Sequence, residues 1–141
     1  MHSLPALGYA DALAAAEAIR ADVERRGKTA VIAVVDAHGE LLLLHRLDDA
    51  PLSSIAVATN KAFTAARLRR STRVLGDSIR SRGIDIAYYG DARFVGFGGG
   101  MPVEVDGHVV GAVSVSGLTD TEDDELAALG IAAIHAAREG R

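Results

Sequence analysis

The sequence predicts a single α+β domain in which hairpins build an antiparallel sheet and helices pack on it. Three observations predict it. The length of 141 residues fits one hydrophobic core. Asp106-Gly107 stands between two β-rich runs, where a type I′ turn takes positive φ at both central residues. Segments with helical apolar spacing alternate with those hairpins and also close the chain. We therefore treat residues 1–141 as one domain.

From Tyr9 to Arg26, Ala12, Ala16, Ile19 and Val23 recur at spacings of four and three, which marks one helix face, and Gly27 ends it. Thr29 to Val35 is a short β-branched run. Asp36-Ala37-His38-Gly39 then turns the chain into a second run, Leu41 to Leu44. Pro51 interrupts, Ser53 or Ser54 offers a cap, and Ile55, Ala58, Ala62 and Ala65 or Ala66 carry a second helix to about Leu68. Ser71 or Thr72 opens a third, shorter helix that ends near Gly83. Three strands follow: Phe94 to Phe97, Met101 to Val105 and His108 to Ser116. Thr119 or Thr121 caps the last helix, continued by Leu126, Ala133 and Ala137. The expected order is αββααβββα.

Hydrophobic residues make up 49% of the chain and charged residues 24%, which excludes a disordered class. With 4% aromatics and no Trp, the core rests on Ala, Val, Leu and Ile. A net charge of -4 gives no general attraction to nucleic acid. No stretch reaches the ~20 apolar residues of a membrane span, and Met1-His2-Ser3-Leu4-Pro5 lacks a charged leader, so the expected location is cytoplasmic with no membrane partner. Without cysteine there is no disulfide, thiolate metal site or cysteine nucleophile. The five histidines show no i, i+4 pairing, so no metal site is expected.

Val34-Val35-Asp36, Leu47-Asp48-Asp49-Ala50-Pro51, Asn60-Lys61-Ala62, Gly99-Gly100-Met101-Pro102 and Asp106-Gly107 followed by Val110 to Gly117 occur in that order. In order and spacing they resemble the GlcG/HbpS family of haem-binding and haem-degrading-like domains, which is also similar to the C-terminal domain of PduO-type proteins. The resemblance runs from the first helix to the last. It implies a profilin-like layered fold with a five-stranded antiparallel sheet. It also implies closed homo-oligomers, octamers in some members, and a small ligand such as haem or a related tetrapyrrole. Haem is the only cofactor implied. Haem-binding relatives can use a first-helix histidine, but Tyr9 to Arg26 contains none. The acid-x-x-Glu iron signature of some relatives is absent too, since Glu17 is followed three places on by Arg20 and Asp22 by Arg25.

Among single residues, Lys61 interrupts an apolar helix face and Thr64 follows nearly one turn later. Together they can grip a carboxylate. A lysine in apolar surroundings can also act as base or amine nucleophile, or simply snorkel or join a salt bridge between subunits. Gly98, Gly99, Gly100, Met101 and Pro102 lack the Lys and Ser/Thr of a phosphate loop; their backbone serves either an anion nest or a bulge. His45 and Arg46 end a strand, and His45 is the candidate haem ligand. Six arginines between Arg67 and Arg82 oppose five acids between Asp120 and Glu125, a pattern that suits contacts between subunits, although a helix N-terminus alone also attracts carboxylates.

The expectation is a ligand-binding homo-oligomer with a site of Arg46, Lys61, Thr64 and Gly98–Pro102. The alternative is a cofactor-independent enzyme acting on a small organic acid or carbonyl compound, with Lys61 as anion anchor or base.

Overall fold

A computed structural model describes all of residues 1–141. Helix α1 spans Tyr9–Arg25, strands β1 and β2 span Val31–Asp36 and Leu41–Arg46, and helices α2 and α3 span Ser53–Leu68 and Thr72–Arg82. A one-turn 3₁₀ helix at Ile86–Tyr89 leads to β3, Gly100–Val105, β4, His108–Ser116, and α4, Asp120–Glu139.

The sheet has four strands in the order β2-β1-β4-β3, every neighbouring pair antiparallel. The expected fifth strand at Phe94 to Phe97 does not form, and the order becomes αββααββα. The reason lies in where its backbone groups bond. Val95 N–H donates to Thr64 Oγ1 at 3.0 Å, and the Gly96 backbone lies against that of Gly76 in α3. With those groups engaged by helices, no ladder to a strand is made.

Two turns place the hairpins. The Asp36 carboxylate accepts from His38 N–H and Glu40 N–H, closing the β1–β2 turn. At the β3–β4 turn Asp106 has φ 50° and Gly107 φ 79°, with Val105 opposite His108, the type I′ geometry expected of Asp-Gly. Neither Ser53 nor Ser54 caps α2; both lie inside it, and the Pro51 carbonyl accepts from Ser54 N–H instead.

β1 is apolar from Val31 to Val35 because both its faces are covered. Ile32 and Val34 face α1 and α4, in a core with Ile19, Val23, Val113, Leu126 and Ile134. Val31, Ala33 and Val35 face α2, which meets them with Ala58, Ala62, Ala65 and Ala66. Burying each large aliphatic side chain contributes roughly 1.5–3 kcal/mol. The alanine face of α2 lets its backbone approach the sheet closely, and that approach carries Lys61 down to β4.

Candidate functional site

Lys61 occupies the sheet-facing side of α2 and is 2% exposed. Its ammonium donates to the Val115 carbonyl of β4 at 3.1 Å and to Asp123 Oδ2 of α4 at 3.2 Å. Asp123, also 2% exposed, accepts in turn from Leu118 N–H through Oδ1 at 3.2 Å. Burial pushes the Asp123 carboxyl above its ordinary pKa, and the neighbouring Lys61 charge pulls the other way. The pair thus joins α2, β4 and α4 at one point, and no buried side-chain polar atom is left without a partner.

The glycine segment closes over this pair. A Cβ on Gly99 would lie 2.8 Å from Lys61 Nζ and 2.6 Å from the Val115 carbonyl oxygen, and Gly99 has φ 118°. Only glycine suits such a contact at such a dihedral. A Cβ on Gly100 would meet the Lys61 carbonyl at 2.6 Å. The three glycine amides all donate to side chains: Gly98 to Asp120 Oδ2, Gly99 to Asp124 Oδ1 and Gly100 to Thr72 Oγ1. Two carboxylates and a hydroxyl of this same chain therefore occupy the nest that an external anion would fill.

Of the residues expected to form one site, Lys61 is brought together with Gly99 and Gly100. Thr64 is fully buried; its hydroxyl donates to the Asn60 carbonyl at 2.7 Å and accepts from Val95 N–H. Met101 and Pro102 continue into β3, opposite Val113 and Ala112. Arg46 is not with them. It is exposed at the end of the edge strand β2 and lines a 560 Å³ cleft with Asp48, Asp49, Ala50 and Leu52. A neighbouring 300 Å³ cleft shares Arg46 and Asp48 and adds Glu24, Lys28, Thr29 and Leu47. Lys61 lines no cleft of the chain.

His45 is half-buried on β2 opposite Ile32, and its ring is near enough to Glu17 of α1 to influence that carboxylate. No cluster of three His, Asp or Glu side chains is placed to hold a metal ion. Sequence reasoning missed Thr72, Asp120, Asp123 and Asp124 as partners of the lysine and the glycines. The available signal was an acidic run followed by a helix, and helix-end electrostatics already accounted for it.

With the geometry in place, comparison with known proteins gives consistent matches. A family model described as "Haem degrading protein HbpS-like" matches residues 7–132. An uncharacterised 15.0 kDa protein of the dhaT-dhaS intergenic region of Citrobacter freundii is 39% identical over 117 residues, covering 79% of this chain and 80% of that protein. The crystal structure of Klebsiella pneumoniae ORFY superposes with a TM-score of 0.89 at 31% identity, covering 96% of this chain and 95% of that one. A PduOC:heme complex superposes with a TM-score of 0.83 at 30% identity, covering 91% of this chain and 94% of that one.

Proposed function

We propose that this chain, which belongs to the HbpS-like family of haem-degrading proteins, binds haem or a related tetrapyrrole as a homo-oligomer. The observation that carries the reading is the likeness, over nine-tenths of the chain, to a protein whose structure is a haem complex. Haem would supply a redox-active iron and two carboxylate tails.

The residues of this chain fit that group in part. His45 offers an imidazole, the ordinary nitrogen ligand for haem iron, on the strand face that also carries Leu43 against the core. Arg46 offers a cation one residue on, at the mouth of the two clefts. Asp48 and Asp49 in the larger cleft oppose a carboxylate, and Ala50 and Leu52 are its only apolar lining. One copy would thus hold the group with an imidazole on one face of β2 and a counter-charge on the other, without an apolar enclosure. The reading therefore includes a second copy that completes the enclosure at the β2 edge.

Titration with haemin tests the proposal. Binding is expected to shift the Soret band, His45→Ala to abolish the shift, and native mass to exceed that of a dimer. A spectrum indifferent to the protein, or a His45→Ala variant that binds like the parent, overturns it.

A second reading, a cofactor-independent enzyme acting on a small organic acid or carbonyl compound, draws support from the Lys61–Asp123 pair. A buried amine beside a carboxylate of raised pKa is an acid–base arrangement. Access to it depends on movement of the glycine segment. Turnover lost in Lys61→Met while haemin binding persists would favour this reading over the first.

A further inference from the structure

At the end of the sheet away from Arg46, a third cleft of 190 Å³ is bordered by Leu4, Arg69, Glu104, Gly107, His108 and Val109. We propose that this cleft binds a small zwitterion of the α-amino-acid class, its carboxylate against Arg69 and its ammonium against Glu104. The proposal does not depend on haem. Arg46 lies opposite Val31, which pairs with Ser116 at one end of β4, whereas this cleft surrounds the other end.

The backbone brings the two charges to one side of the sheet. Along β3, Val103 points into the core beneath α1 and α4, so Glu104 takes the face that α2 covers. Val110 belongs to the same core, and the β3–β4 register slips by one residue there, so that Glu104 stands opposite Val109 rather than Val110. Val105 and His108, the next pair, take the opposite face. Arg69 arrives from α2, at whose C-terminal end it adopts φ 56°. That left-handed conformation is normally left to glycine, because a Cβ there crowds the backbone. An arginine held in it has a fixed point of departure from the helix, and local strain of this type collects at binding sites.

Neither charge is neutralised by the protein itself. Arg67 reaches Glu40 and Arg73 pairs with Asp124, but Arg69 has no carboxylate within ion-pair distance and Glu104 has no cation. The two border one cleft without pairing across it. A guanidinium presents only donors and a carboxylate only acceptors, so a ligand that bridges them carries an acceptor at one end and a donor at the other. A simple anion meets a like charge in Glu104, and a simple cation meets one in Arg69. A zwitterion meets an opposite charge at both ends.

The size agrees. Drug-sized ligands occupy about 300–1,000 Å³, so this cleft admits a molecule of few heavy atoms. Leu4 and Val109 offer its side chain an apolar wall, and Gly107, where an added Cβ would meet nothing within 4 Å, leaves the mouth at the turn open.

A ¹H–¹⁵N NMR titration of the full chain with L-alanine tests the proposal, with acetate and ethylamine as its two charged halves. L-Alanine is expected to shift the Gly107 and Val109 amides saturably in the millimolar range, and each half to bind at least about ten-fold more weakly. Arg69→Gly removes the cation while giving the end of α2 the residue its φ suits. It should fold at least as well as the parent and bind L-alanine at least about ten-fold more weakly. Glu104→Gln should weaken L-alanine by a similar factor and improve acetate relative to it. No saturable shift with L-alanine, acetate bound as tightly as L-alanine, or an Arg69→Gly variant that binds like the parent overturns the proposal.

Discussion

Lys61 and Asp123 each depend on the other for burial, so removing one leaves a charge stranded in a space closed to water. Lys61→Met is expected to cost about 3–5 kcal/mol, because Asp123 would keep its burial and lose its counter-ion. Adding Asp123→Leu to that variant should recover much of the loss, since an apolar pair of similar volume is often neutral in such positions. Urea denaturation at neutral pH measures both. A single variant within about 1 kcal/mol of the parent would mean the ion pair does not hold the three elements together. Half of this arrangement was legible beforehand: a lysine interrupting an alanine face is conspicuous, and the adjoining glycines invite close approach. Its partner was not, because Asp123 lies 62 residues away within an acidic run, and periodicity carries no information about which member of such a run turns inward.

Among the elements, the β3–β4 hairpin depends on its turn. Gly107→Ala puts a side chain at φ 79° and is expected to destabilise by about 1 kcal/mol or more, whereas Asp106→Asn keeps a residue that tolerates φ 50° and should be nearly silent. Thermal melts of the two variants make the comparison; equal losses would point to side-chain contacts of Asp106 rather than backbone geometry. Helix α4 has a similar local device, with the Thr119 hydroxyl accepting from Glu122 N–H at 3.2 Å, and Thr119→Ala should cost about 1 kcal/mol in the same assay. Both features were readable because turn and cap chemistry is local in sequence. The absent fifth strand was not. Phe94 to Phe97 has the composition of a strand, yet Phe94 stacks on Phe63 of α2 with ring centroids 5.3 Å apart, and Val95 donates to Thr64. Tertiary packing decided the outcome, and strand propensity is sensitive to such context.

At the scale of the whole molecule, acid sensitivity follows from several carboxylates acting together. Arg93 beside Asp91 holds that carboxyl down to about 2, Arg20 lowers Glu17, and Lys28 lowers Glu122. For Asp11 burial works against the charge, but the Gly8 amide and Arg141 prevail and its pKa is lowered as well. Groups of this sign lend stability fully above their unfolded pKa values, near 4, and lose it as pH falls through the folded values. The melting temperature is therefore expected to be flat near neutrality and to drop below about pH 4, with Asp123 alone among these carboxylates working in the other direction. A melting temperature that rises below about pH 4 would contradict the assignment. The order of the sheet has a separate consequence, in the making of the protein. Central strand β1 takes β2 as a neighbour almost at once, but its other partner begins by pairing Val31 with Ser116. During synthesis at roughly 5–20 residues per second, Val31–Val35 therefore waits for several seconds as half of a hairpin with an open, uncharged edge. On the ribosome the chain passes through a stage in which its most apolar strand invites pairing with a neighbouring nascent copy, and slower translation across α2 and α3 prolongs that stage.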